Sequence, residues 1–319
     1  MLLLEGKVDL MTNLEFCTPE DIPSEVLVYG SELQQLQVGR EGKIGALTLL
    51  LEQDEERRKT VVKERYSKVP LFTQRALYLE ESLPSMAYIY IMSPSGGILQ
   101  GDRYRMDIKL KNNACAHITT QGATRIYRME RNFATQIINV HVDEGSYLEF
   151  VPDQIIPYRD SRFYQTVNLN VHDKGTMIYS EIIVPGRVAG GESFQYDICY
   201  MKVLARNQKD MLRFIDIAKL EPKRCNMKTV GLLDTFDVVG STYILTKAEY
   251  IKELRNDINS ALQTLAHVSG GASTLPHNSG VIVRILGNVA SDIRSAIYEI
   301  IKITRKKILD APFIGIRKG

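Results

Sequence analysis

Three acidic residues stand where solubility does not require them. Asp102 closes the glycine-rich run Gly96-Gly97-Ile98-Leu99-Gln100-Gly101-Asp102, Glu181 lies inside the apolar segment 177–184, and Glu192 follows Gly190-Gly191. Carboxylate oxygens, with water, make sites that hold a divalent cation weakly enough to release it, so these acids are candidates for lining an internal polar passage. Each also has a structural reading. Asp102 can cap its own turn or offer its carboxylate to a partner's Arg or Lys, and Glu192 can close its loop by pairing with Arg187, since a carboxylate seldom enters a core unpaired. Two of the acids brought together could instead act as a general acid/base pair, which would make the chain a hydrolase. Arg125, Tyr127 and Arg128 form a cationic and aromatic run suited to a partner contact.

Other chemistries find little support. His117, His141, His172, His267 and His277 show no HxH or HExxH spacing, and Cys17, Cys115, Cys199 and Cys225 are scattered singly, so neither a resident metal site nor a disulfide scaffold is expected. The chain has no GxxxxGK[ST] phosphate loop and no GxSxG elbow. With 40 Lys+Arg against 38 Asp+Glu the net charge is +2, which gives no general electrostatic case for nucleic acid or an anionic membrane. The opening residues 1–4 are apolar but Glu5, Lys7 and Asp9 interrupt them. No signal-peptide core or membrane span is expected there, and the location expected is cytoplasmic.

The elements that must position these residues read as β structure first and helix last. Residues 106–111 and 167–172 alternate apolar and polar side chains, and 139–142 do so less cleanly, which puts one face of each strand on a core. Turns follow at Asn112-Asn113-Ala114, Asp143-Glu144-Gly145 and Asp173-Lys174-Gly175, about thirty residues apart. One such unit cannot bury its apolar face alone, so the period predicts stacked strand-turn-strand layers, either β-solenoid-like or as layered sheets. Near the C-terminus, Thr246-Lys247-Ala248-Glu249 has capping-box form, and an amphipathic helix is expected from there to Gly270-Gly271. Residues 280–287 read as a buried strand. A second helix carries Val289, Ile293, Ile297, Ile300 and Ile308 on one stripe, with Arg305, Lys306 and Lys307 suited to its C-terminal dipole. The expectation is a mainly β body to about residue 245, followed by a small α/β layer over 246–312.

The glycine-rich run resembles the GGxxxGD signature of the UreD/UreH family of urease accessory proteins. The likeness continues in order through QGATRIYR (121–128), YLEFVPDQIIPY (147–158), PGRVAGGESF (185–194), SGGAS (269–273) and VIVRILG (281–287). It implies one UreD-like domain over 40–319, with 1–39 outside it as an N-terminal extension. It implies functional residues at Asp102, Thr124 and Glu181, while a later family acid aligns with Asp216 only by a shift. It further implies a scaffold or chaperone, not an enzyme, that works with UreF-like and UreG-like proteins on apo-urease in GTP-dependent nickel insertion. The nickel would be in transit, with no resident cofactor. A metal-independent interaction module is the alternative from the residues alone.

Overall fold

In the computed structural model, residues 13–30 and 42–315 are described. The chain alternates between two sheets. One face receives β4 (Ala87–Met92), β6 (Cys115–Thr120), β9 (Tyr147–Phe150) and β12 (Thr176–Ile183), and the opposite face receives β5 (Arg103–Lys111), β8 (Ala134–Val142), β11 (Arg162–Val171) and β13 (Ile198–Arg206). Within each face these strands are parallel and in register, so that Ala87, Ala116, Leu148 and Met177 form one row and Ile108, Val140, Leu169 and Ala205 another. This is the expected mainly β, solenoid-like stack. Its turns also stack: the Gly145 amide bonds the Lys174 carbonyl, and Gly145, at φ +70°, has the Asn113 side chain so close that a Cβ would lie 1.9 Å from its Oδ1.

Flanking strands extend both faces. The antiparallel pair β1 (Ile44–Asp54) and β2 (Lys59–Lys68) and the strand β14 (Leu212–Leu220) complete a seven-stranded sheet in the order β14-β13-β11-β8-β5-β1-β2. On the other side β3 (Phe72–Thr73), β15 (Val238–Leu245), β16 (Val268–Thr274) and β17 (Gly280–Gly287) complete a ten-stranded sheet with two short connecting strands, β7 (Thr124–Ile126) and β10 (Ile155–Pro157). Alternating side chains such as Leu47, Leu110, Val142, Leu148 and Val171 fill the space between the sheets. A second core joins the outer side of the ten-stranded sheet to the helices α3 (Ala248–Gln263) and α4 (Ala290–Leu309), through Ile251, Leu254, Ile258, Ile293, Ile297 and Ile300. The C-terminal part therefore continues the large sheet. Before the sheets, the one-turn helices α1 (Leu14–Cys17) and α2 (Ser24–Leu27) lie on the seven-stranded sheet, with Cys17 and Val26 fully buried. The remainder of 1–39, residues 1–12 and 31–39, lies outside the described residues.

Three local expectations are corrected. Thr246 does not cap α3: Lys247 is the N-cap without a side-chain bond, and the Thr246 hydroxyl pairs with that of Thr176 at 2.9 Å. Gly270 and Gly271 do not end the helix; α3 stops at Gln263 and the glycines lie inside β16. Gly270 packs so close to β17 that a Cβ would lie 2.7 Å from the Arg284 carbonyl, and only glycine leaves that room. Finally, Arg305 is not among the cations of the last turn that complement the C-terminal dipole of α4, which are Lys306 and Lys307. It is fully buried beneath α4, where it forms ion pairs with Glu80 at 2.8 Å and Glu149 at 2.6 Å.

Candidate functional site

Among the described residues, a line of polar groups crosses the largely apolar interior between the sheets. On the ten-stranded sheet, Ile118, Phe150 and Tyr179 share a row; beyond the end of β9, Thr120, Pro152 and Glu181 line one cavity, and Glu181 begins a row on the next strands. The row continues through Ser241 on β15 to Arg284 on β17. Facing it on the seven-stranded sheet, Tyr104, Gln136 and Gln165 are in register. Gln136 donates to Gln165 Oε1 at 3.1 Å, Gln165 approaches the Tyr179 hydroxyl at 3.3 Å, and that hydroxyl donates to Glu181 Oε2 at 3.1 Å. Gln136 and Gln165 lie twenty-nine positions apart, at the same place in successive repeats.

This polar line has an open end. A cleft of about 270 Å³ is lined by Gly96, Gly97, Tyr104, Thr120, Thr124 and Arg125 among others. A smaller cavity of about 30 Å³ is lined by Thr120, Thr124, Gln136, Gln165, Tyr179 and Glu181. Met106, Thr120, Thr124 and Gln136 line both, so the cleft and the cavity adjoin. The inner space has room for one or two waters. Glu181 is 4% exposed; burial pushes its carboxyl up to about 7, against the hydrogen bond from Tyr179 and the positive field of Arg284. It is thus a carboxyl that gains or loses its charge near neutral pH at the inner end of a cleft that carries oxygen donors.

Beyond Glu181 the line ends in a polar knot. Arg284 donates to Asp216 Oδ2 and Ser241 Oγ and lies 3.5 Å from the Tyr243 hydroxyl, which itself donates to Asp216 at 2.5 Å. The Tyr243 ring stacks on Tyr179 with centroids 5.9 Å apart. Asp216, which the sequence could place only by a shift, lies on the opposite sheet, and its charge adds to the upward push on the Glu181 carboxyl.

Asp102 and Glu192 sit elsewhere, and neither lines the cavity at Glu181. Asp102 is completely buried, accepts the amides of Lys43 at 2.8 Å and Leu99 at 2.9 Å, and pairs with Lys43 Nζ at 3.2 Å. Burial raises its pKa against the pull of the Leu99 amide and Lys43. Its carboxylate is committed to the turn, and it reaches toward the cleft through the Tyr104 hydroxyl at 3.4 Å. Glu192 closes its loop, with Oε1 on Arg187 at 2.8 Å and Oε2 accepting the Arg159 amide at 3.1 Å.

The contact residues read from sequence do come together. Tyr127 packs on Tyr158 at 5.1 Å, and the Arg187 guanidinium lies 5.1 Å from the Tyr158 ring centroid. Arg125 is exposed at the cleft and Arg128, 70% exposed, pairs with Asp160 at 3.2 Å. A cationic and aromatic surface thus flanks the mouth.

Sequence reasoning missed the cluster under α4. His117 Nδ1 meets Glu149 Oε2 at 2.6 Å, Tyr147 donates to Glu149 at 2.9 Å, and Tyr88 donates to Glu80 at 2.5 Å. Burial works against the Glu149 carboxylate, but its bonds to Arg305 and His117 more than offset this and hold its pKa down at about 2. No local spacing announces it, because Arg305 comes from a helix 156 residues after Glu149. Among the described residues, no group of three or more His, Cys, Asp or Glu is placed to hold a metal ion, and no helix is long and apolar enough to cross a membrane.

The family model for "UreD urease accessory protein" matches residues 43–317. Curated proteins named "Urease accessory protein UreD" are similar over most of their length. One from Cenarchaeum symbiosum is 42% identical over 284 residues, covering 89% of this chain and 99% of that protein. One from Yersinia pseudotuberculosis is 36% identical over 287 residues, covering 89% of each. A "Urease accessory protein UreD 2" from Brucella suis is 36% identical over 289 residues, covering 90% of this chain and 95% of that protein.

Proposed function

The chain belongs to the UreD family of urease accessory proteins, and from that premise we propose that it serves as the scaffold through which nickel reaches apo-urease. In this reading it joins a UreF-like helical protein and a UreG-like GTPase in the cytoplasm. The GTPase supplies the nucleotide chemistry, and this chain contributes no covalent step. Nickel is cargo, passed from the cleft at Thr120 and Thr124 past the amides of Gln136 and Gln165 to the carboxyl of Glu181. The observation that carries the proposal is that the open cleft and the cavity at Glu181 adjoin, sharing four lining residues.

The chemistry suits transit. Hydroxyl, amide and carboxyl oxygens are hard donors that bind a divalent ion without the thiolates or imidazoles that would retain it. A carboxyl with a pKa of about 7 exists in both charge states at physiological pH, so it can take the ion when deprotonated and release it on protonation. Asp102 supports this passage by holding the turn that precedes Tyr104. The surface of Arg125, Tyr127, Arg128 and Arg187 is the proposed contact for an accessory partner. The test is co-expression of urease subunits and the accessory proteins with and without this chain, followed by nickel analysis of the urease and a pull-down from the same lysates. Nickel-loaded urease and a recovered complex that both depend on the chain support the role. Equal maturation without the chain, and no recovered partner, refute it.

A further inference from the structure

The interior line is open at the cleft and closed at its other end by a cation. Glu181, Ser241 and Arg284 occupy one inward-facing row on three successive strands, β12, β15 and β17. Neighbouring strands lie about 4.8 Å apart, so the Arg284 backbone is roughly 10 Å from that of Glu181, toward the free side of the sheet. The Arg284 side chain spans from this buried row to solvent: it is 41% exposed, whereas Glu181, Ser241 and Tyr243 are each at most 4% exposed. It is held from both sheets at once, by Asp216 on β14 and by Ser241 on β15, with the Tyr243 hydroxyl alongside.

We infer that Arg284 is a gate: its guanidinium fills the place a divalent ion would take among the oxygens of Asp216, Ser241 and Tyr243, one end of the row that starts at Glu181, and so stops the passage at that end until the side chain is drawn outward. The inference rests on the passage proposed above and assigns its regulation. Two observations support it. The oxygens around the guanidinium, from a carboxylate and two hydroxyls, are those that would ligate a hard divalent ion, and Arg284 uses them. The positive field of Arg284 also acts on Glu181, so a second cation at Glu181 meets electrostatic repulsion and finds the next oxygens along the row already taken. A partner carboxylate offered at the exposed end of Arg284 would compete with Asp216 for the guanidinium, because charge-assisted pairs of this kind are the strong ones. Opening would then be tied to docking of an acidic partner surface.

The test uses the full-length chain and nickel chloride alone, with binding measured by equilibrium dialysis and metal analysis at pH 7.5. Arg284→Gln removes the charge and keeps a side chain able to bond Asp216; Arg284→Met, of similar length, serves as a second version if the first does not fold. Arg284→Lys keeps the charge. At least tenfold tighter nickel binding is expected in the Gln or Met variant, binding like the unaltered chain in the Lys variant, and loss of the gain when Glu181→Gln is added. Equal binding by the Gln, Met and unaltered chains, with Glu181→Gln still weakening all of them, overturns the gate and leaves the passage standing. Binding that does not depend on Glu181 in any background overturns both.

Discussion

Replacing Arg305 by Ala should destabilise the protein more than any surface substitution, and the cost should depend on pH. Arg305 is fully buried and neutralises two carboxylates, those of Glu80 and Glu149, which are 4% and 0% exposed. Removing one member of such a group leaves uncompensated buried charge, a loss of about 3–5 kcal/mol. The Glu149 pKa, which Arg305 and His117 together depress against burial, gives a figure of the same order. The Glu149 pKa lies at about 2 against an ordinary value of 4.5, and at 1.36 kcal/mol per pH unit that gap is worth about 3 kcal/mol. The folded-state value is the depressed one, so this contribution is present above pH 4.5 and is lost as pH falls from there toward 2. Urea unfolding followed by circular dichroism should therefore show a loss of about 3 kcal/mol or more at pH 7.5 and a smaller loss at pH 4. In thermal unfolding the neutral-pH loss corresponds to roughly 5–10 °C. Adding Glu80→Gln and Glu149→Gln to Arg305→Met should recover most of it, since no charge then remains buried among these three positions. A neutral-pH loss below 1 kcal/mol, or an equal loss at both pH values, would refute the reasoning.

Two further outcomes follow from the same structure. Glu181→Gln should stabilise the fold in mild base. The folded-state pKa of about 7 is raised above 4.5, so the protonated carboxyl contributes stability below pH 4.5 that is lost as pH rises through 7, and an uncharged amide escapes that loss. Urea unfolding should show a gain approaching 3 kcal/mol at pH 8 and little difference at pH 4.5; a destabilised variant at pH 8 would contradict it. Asp102→Ala should cost about 3–5 kcal/mol, because it strands the buried Lys43 ammonium and frees the amides of Lys43 and Leu99. The soluble yield and unfolding midpoint would measure this, and unchanged values would mean that the turn does not need its acid.

The repeat was legible because each layer buries one face. The alternation over 106–111 and the turns ending at Ala114, Gly145 and Gly175 together gave the stacked architecture, and strand β17 matched its expected bounds of 280–287. Strand β16 was not legible, since Ser269-Gly270-Gly271-Ala272 lacks the β-branched residues that mark strands; pairing with β17 along seven residues holds it. The Thr246 capping signal failed because a tertiary partner, Thr176, took its hydroxyl. At the site, Glu181 stood out as an acid among apolar residues. Its companions Gln136, Gln165 and Tyr179 did not, because a polar side chain in an alternating strand reads as solvent-facing until the facing sheet is known. Arg284 and Asp216 meet only across the two sheets, which no sequence spacing encodes.

The most direct test of the account is the nickel content of urease matured with Glu181→Gln in place of the unaltered chain, in cells where pull-down recovers the accessory complex equally for both. The amide keeps the size and the hydrogen bond to Tyr179 and removes the carboxylate, so the account predicts an intact complex and a severalfold fall in nickel per urease active site. Full nickel loading with the complex intact would contradict passage through Glu181 and leave the chain a metal-independent scaffold.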